Sequence, residues 1–232
     1  MRSAVVTFPG TNCEHDIEVL VQSVTGALPQ KVWAKDRTLP DDTEVLFVPG
    51  GFSYGDYLRC GAMAKVSPVA AAIREFAASG KPVVGICNGF QILCELGLLP
   101  GVLLPNRTTK FLSRMVSMKV ESTNTPITAR LDKGEVFTVP IAHFDGNYFA
   151  TADEVKRLED NDQVVFRYCG LNGEVDHESP LLNPNGSVNS IAGVRNEAGN
   201  VVGYMPHPER IIEADIDPNG TRSALRLFEA IL

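Results

Sequence analysis

The chain of 232 residues is 44% hydrophobic and 21% charged, an ordinary composition for a globular protein, and its length predicts one domain over 1–232. Twenty-one basic residues against 28 acidic ones give a net charge of -7, which excludes a partner held mainly through phosphate contacts, such as DNA. Five cysteines without C-x-x-C pairs disfavour a disulfide framework and a zinc site, and no signal-peptide core or run of about 18 apolar residues occurs, so the sequence predicts a cytoplasmic protein without a metal.

The apolar residues 4–8 predict a first strand, Pro9-Gly10 a turn, and 13–24 a helix, with Thr11 and Glu14 at the spacing of a capping box. Two further apolar runs, 31–34 and 45–48, lead to Pro49-Gly50-Gly51. A helical pattern at 69–77 then precedes a fourth run at 82–86. Continuous Val/Ile/Leu runs separated by helices imply parallel strands buried on both faces, with active loops at their carboxyl ends. The second half reads as strands at 115–120, 135–139, 164–168, 190–194 and 201–205, some antiparallel, with turns at Asn172-Gly173 and Pro184-Asn185-Gly186. A final helix at 222–231 would bury Leu225, Phe228 and Ile231 on one face. The predicted fold is α/β: a mainly parallel central sheet with flanking helices and a smaller antiparallel portion in the second half.

Gly85-Ile86-Cys87-Asn88-Gly89 follows the fourth strand and opens a helical segment at 90–96. The pattern is a nucleophile elbow with cysteine in place of serine: small residues permit the sharp turn, and the helix N-terminus favours a thiolate. The competing reading is a small buried cysteine in a tight turn. Cys94 reads as core, and Cys13, Cys60 and Cys169 have no base nearby in sequence and read as structural.

Four histidines compete for the role of base. His15 lies in the polar start of the first helix and His177 in a solvated acidic run, so both read as surface. His143-Phe144-Asp145 and His207-Pro208-Glu209 each place an acid two residues after a histidine, and in an extended segment such side chains share a face. Either acid could fix the tautomer of its imidazole. Pro206 and Pro208 stiffen the second pair and favour it, leaving the first open.

The residues from Gly85 to Gln91 together with Pro206-His207-Pro208-Glu209 resemble the class I glutamine amidotransferase signature. Five longer motifs narrow the resemblance: Phe8-Pro9-Gly10-Thr11-Asn12-Cys13, Gly50-Gly51-Phe52-Ser53-Tyr54-Gly55-Asp56, Leu104-Pro105-Asn106-Arg107, Asn183-Pro184-Asn185-Gly186-Ser187 and the segment 205–210. They are similar to the glutaminase subunits of phosphoribosylformylglycinamidine synthase, from the first strand to the last helix. The resemblance implies Cys87 as nucleophile, His207 as acid/base, Glu209 as its orienter, and the Gly51 and Asn88 N–H groups as the oxyanion hole. It also implies contacts from Gln91 and from the backbone around His143 and Phe144 to a glutamine substrate. There the family reads His-Gly-Glu-Gly and this chain reads His143-Phe144-Asp145-Gly146.

No Walker-type phosphate loop occurs, so the resemblance places ATP and Mg on a synthetase partner, accompanied by a small third subunit, and leaves this chain without a cofactor. Ammonia released from glutamine would there convert formylglycinamide ribonucleotide to formylglycinamidine ribonucleotide. The loop 50–61, with Phe52, Tyr54, Tyr57 and Arg59, reads either as a partner surface or as aromatics packed on the sheet. Another thiol hydrolase on the same type of sheet, or a non-catalytic assembly subunit, are the alternatives.

Overall fold

The computed structural model describes residues 1–218 and 220–232. Its first half alternates as the apolar runs dictate: β1 (Ser3–Thr7), α1 (Glu14–Thr25), β2 (Gln30–Trp33), β3 (Val45–Val48), α2 (Val69–Ala78), β4 (Val83–Ile86) and α3 (Asn88–Glu95). All residues of β3 and β4 are buried, which explains their lack of polar alternation. Helix α1 turns Ile17, Leu20 and Val21 inward, each worth roughly 1.5–3 kcal/mol of burial, and ends on Gly26 in the left-handed conformation.

The second half adds β5 (Val102–Leu104), β6 (Leu112–Val120), β7 (Val136–His143), β8 (Asn147–Phe149), α4 (Ala152–Asp160), β9 (Val164–Cys169), β10 (Ile191–Arg195) and β11 (Val201–Tyr204). Nine strands form one sheet in the order β2-β1-β3-β4-β11-β10-β9-β6-β7, and β5 pairs with β8 apart from it. The five strands from β2 to β11 are mutually parallel, and every pairing from β11 to β7 is antiparallel. The sheet is therefore the predicted mixed one. Strand β7 alternates half-buried and buried residues, the period expected of a strand covered on one face.

Two local expectations fail. Thr11 does not cap α1: its hydroxyl accepts from Phe8 N at 2.9 Å, and Cys13 occupies the cap without a side-chain bond. The last segment is a 3-10 turn (Ser223–Leu227) followed by further turns, although Phe228 and Ile231 are buried as predicted. Leu225 is only half-buried, because the tighter 3.0-residue turn brings Ala224 and Leu227 inward instead. At the predicted Pro184-Asn185-Gly186 turn the chain bends, and Asn185 there is wholly buried and donates to Gly146 O at 2.7 Å. Helix α4 and the β5/β8 pair were not anticipated. No helix among the described residues is long and apolar enough to cross a membrane.

Candidate active site

The adjacent parallel strands β1, β3, β4 and β11 deliver, at their carboxyl ends, residues 8–13, Pro49-Gly50-Gly51, Cys87 and Met205-Pro206-His207. This is where an open α/β sheet places its chemistry. Cys87 joins β4 directly to α3 with φ 52° and ψ -107°, a sparsely populated conformation for a residue with a side chain. It is held there by Cys87 N donating to Tyr204 O at 2.8 Å and Gln91 N donating to Cys87 O at 3.1 Å. The elbow closes tightly enough that a β-carbon on Gly89 would lie 1.8 Å from the Val48 carbonyl oxygen. Gly89→Ala must push α3 off β3, and a loss of about 3 kcal/mol is expected in urea unfolding. Wild-type stability in that variant would show that the elbow yields without cost.

His207 and Glu209 meet at 2.6 Å, Nδ1 to Oε1, and both are buried. The pair forms for a reason other than an extended backbone. Pro208 starts a 3-10 turn (Pro208–Ile211), which folds the carboxylate back onto the preceding imidazole. Burial opposes a charge on His207, but the Glu209 carboxylate and Cys87 outweigh it and raise its pKa to about 10. Nε2 of His207 is buried without another partner of ordinary geometry and is left to the Cys87 thiol. The backbone at Gly50 runs close to both: a β-carbon there would lie 2.8 Å from His207 Cε1 and 3.5 Å from Cys87 Cβ.

Cys13, which sequence left as structural, sits against this pair. Its Sγ accepts from Arg210 Nη2 at 2.8 Å, and Arg210 also approaches Asp16 at 3.6 Å. Burial pushes the Cys13 thiol up to about 12 despite the Arg210 charge, so it stays neutral. Cys13, His207 and Glu209 place possible ligand atoms within 4.8 Å of one another. The Arg210 cation on Cys13 opposes a second cation there.

The His143 alternative is not assembled. His143 Nδ1 pairs with Asn106 Oδ1 at 3.1 Å, and Asp145 accepts from the Cys60 thiol at 2.8 Å instead. Burial drives the His143 pKa down to about 3, so the ring is neutral. The loop 143–146 is gripped by Asn106, which donates to Phe144 O and His143 O and accepts from Gly146 N, and by Asn185 on Gly146 O. Two motifs of unknown purpose in the sequence, Leu104-Pro105-Asn106-Arg107 and Asn183-Pro184-Asn185-Gly186-Ser187, thus support this loop.

Gln91 donates to Asp145 O at 2.7 Å and accepts from Asn88 Nδ2 at 2.8 Å, while Asn88 Oδ1 accepts from Ser53 N at 3.0 Å. This chain of amides ties α3 to the loops on both sides of Cys87. The N–H of Asn88, first residue of α3, precedes the helix's own hydrogen-bond ladder. Gly51, Phe52, Cys87, Gln91, His143 and Phe144 line a cavity of about 20 Å³, room for one water. Of the loop aromatics, Phe52 and Tyr57 are exposed, whereas Tyr54 packs against Phe8 at 6.3 Å. Arg59 is held by Glu95. His15 is exposed, and His177 bonds Ser190 Oγ at the surface. Cys94 and Cys169 lie away from the cavity.

A family model for the CobB/CobQ-like glutamine amidotransferase domain matches residues 1–230. The phosphoribosylformylglycinamidine synthase subunit PurQ of Brucella suis is 50% identical over 214 residues, covering 92% of each chain. The same-named subunit of Aquifex aeolicus is 47% identical over 232 residues, covering 100% of this chain and 99% of its own. Among solved structures, a chain of PurLQS from Thermotoga maritima matches with TM-score 0.83 and 42% identity, covering 99% of this chain and 96% of that one. With an elbow cysteine, a buried His-Glu pair and this similarity along its whole length, the chain belongs to the glutamine amidotransferase family, in the branch of PurQ-type subunits of phosphoribosylformylglycinamidine synthase.

Proposed function

We propose that this chain is the glutaminase subunit of a phosphoribosylformylglycinamidine synthase, acting in the cytoplasm as a single domain over 1–232. The observation that carries the reading is the Cys87 elbow close to His207, whose Nδ1 is held by Glu209 at 2.6 Å. The Cys87 thiolate attacks the side-chain amide carbon of glutamine, and the Gly51 and Asn88 N–H groups receive the oxyanion. Protonated His207 gives its proton to the departing nitrogen, so ammonia leaves and a thioester remains on Cys87. Water, deprotonated by His207, then attacks the thioester through a second oxyanion, releasing glutamate and restoring the thiolate and the imidazolium. The two backbone donors serve both barriers, and losing one such donor typically costs roughly 3–4 kcal/mol.

The cavity of about 20 Å³ over Cys87 is too small for glutamine, so entry displaces part of its wall. Phe52 and Phe144 line it and are both partly open to solvent. The backbone around His143 and Phe144 then meets the substrate, with Gln91 beside it.

Ammonia passes to a synthetase subunit, assembled with a small third subunit, where ATP and Mg activate formylglycinamide ribonucleotide; this chain contributes no cofactor. The test is reconstitution with those two subunits. Glutamine-dependent formation of formylglycinamidine ribonucleotide is expected, with glutaminase activity rising above that of the free chain. A complex that amidates with ammonia but never with glutamine would overturn the reading.

A further inference from the structure

Residues 8–13, one of the motifs that the reaction leaves without a role, lie against the loop that carries Gly51. We propose that this turn is a positioning element that fixes the orientation of the Gly50–Gly51 peptide and so aims the Gly51 N–H at the reacting carbonyl. The inference rests on the glutaminase reading above.

Asn12 N and Cys13 N, at the mouth of α1, both donate to Gly50 O, at 3.3 and 3.2 Å. Cys13 N, at the N-cap, is one of the N–H groups that a helix start leaves without partners of its own, and Asn12 N lies one residue before it. The described residues contain no cis peptide bond, so the carbonyl and N–H of the Gly50–Gly51 peptide point in opposite directions. Holding Gly50 O toward α1 therefore directs the Gly51 N–H away from α1. Gly51 lines the cavity over Cys87, and residues 10–13 do not.

The neighbouring peptides are pinned as well. Phe52 N donates to Gly10 O at 2.8 Å and Tyr54 N to Pro9 O at 2.6 Å; the first of these and the Asn12 bond to Gly50 O together make the antiparallel bridge between Thr11 and Gly51. On the opposite side, Asn88 Oδ1 holds Ser53 N. Rotating the Gly50–Gly51 peptide would break both bonds to its carbonyl.

The turn that supplies these partners is itself rigid. Thr11 N donates to Phe8 O and Phe8 N to Thr11 Oγ1, both at 2.9 Å. Gly10 has φ +92°, and a β-carbon on it would lie 2.2 Å from the Phe52 carbonyl oxygen. A side chain at position 10 therefore has to displace the Gly51–Phe52 segment. Donors fixed before the reaction need no reorganisation when the oxyanion forms, which is the source of their value.

The experiment uses the reconstituted three-subunit complex and three variants: Gly10→Ala, Thr11→Val and Thr11→Ser. Two rates are followed, glutamine hydrolysis and alkylation of Cys87 by iodoacetamide, the latter read by mass spectrometry on the Cys87 peptide. Alkylation is a displacement at saturated carbon and needs a thiolate but no oxyanion hole. Gly10→Ala is expected to lower kcat by about 10²–10³-fold, the effect of losing one oxyanion donor, with KM and the alkylation rate within about threefold of wild type. Thr11→Val, which removes the acceptor for Phe8 N, is expected to lower kcat by about tenfold, and Thr11→Ser to restore it.

Unchanged kcat in Gly10→Ala would overturn the proposal. So would alkylation falling in step with kcat, because the turn would then act on the fold or on the thiol. If Gly10→Ala does not assemble, the Thr11 pair decides on the same two readouts. A wild-type complex unable to use glutamine would fail the glutaminase reading itself, whatever the variants do.

Discussion

Cys87→Ala is expected to abolish glutamine-dependent amidation by the reconstituted complex while leaving amidation from added ammonia intact. Removing a thiol nucleophile leaves only the oxyanion donors and substrate binding, and in hydrolases of this kind the loss in kcat is on the order of 10⁶-fold. The separation of the two nitrogen sources follows from the proposed mechanism, in which the thiol at the carboxyl end of β4 takes part only in releasing ammonia. The variant should also fold, because the elbow is set by Gly89 against Val48 and by backbone bonds at Cys87 N and O. Measuring product formation with glutamine and with ammonium salt in parallel checks the expectation. Glutamine-supported turnover in purified Cys87→Ala would assign the nucleophile elsewhere, and loss of both activities would mean that the variant fails to assemble.

The residues that could be placed from sequence are those whose signal is local. Residues 45–48 and 82–86 read as buried parallel strands because both faces are covered and no polar residue interrupts them. Cys87 stood out because a strand, two glycines and a helix surround it within a few residues. His207 and Glu209 were paired correctly but for the wrong backbone, since a 3-10 turn starting at Pro208, not an extended segment, joins them.

Helix α4 escaped because only Val155 and Leu158 face inward, too few for an apolar period. Its signal lay at the start, where Thr151 and Glu154 have capping-box spacing and Thr151 Oγ1 accepts from Glu154 N. The same spacing at Thr11 and Glu14 misled, because the Thr11 hydroxyl is taken by Phe8 N. What no local pattern could give is the set of long-range contacts. Asn106 and Asn185 grip the loop 143–146, Arg210 reaches Cys13, and Cys60 meets Asp145, each across a separation of at least 37 residues. These depend on how distant strand ends converge, which no local run of residues encodes.

Glu209→Gln should keep the geometry of the pair and remove its charge, so it isolates what the carboxylate contributes. A glutamine oxygen can still accept from His207 Nδ1–H where Glu209 Oε1 now lies at 2.6 Å. Burial alone would hold the imidazole neutral; the present pKa of about 10 exists because Glu209 and Cys87 overcome that penalty. Without the carboxylate the imidazolium loses its main support, and with it the proton that departing ammonia takes in the proposed mechanism. A fall in kcat on the order of 10⁴-fold is expected, as for orienting acids of other buried catalytic triads.

The same charge makes stability depend on pH in a definite direction. Between about 6.5, the ordinary histidine value, and about 10, the folded chain holds a proton at His207 that the unfolded chain has released. The contribution is therefore complete below pH 6.5 and is lost as pH rises through 10. Denaturation midpoints measured from pH 6.5 to 10 should fall more steeply for wild type than for Glu209→Gln, with all other titrating groups common to both. Parallel curves, or a variant within about tenfold of wild-type kcat, would mean that His207 works without a charged partner.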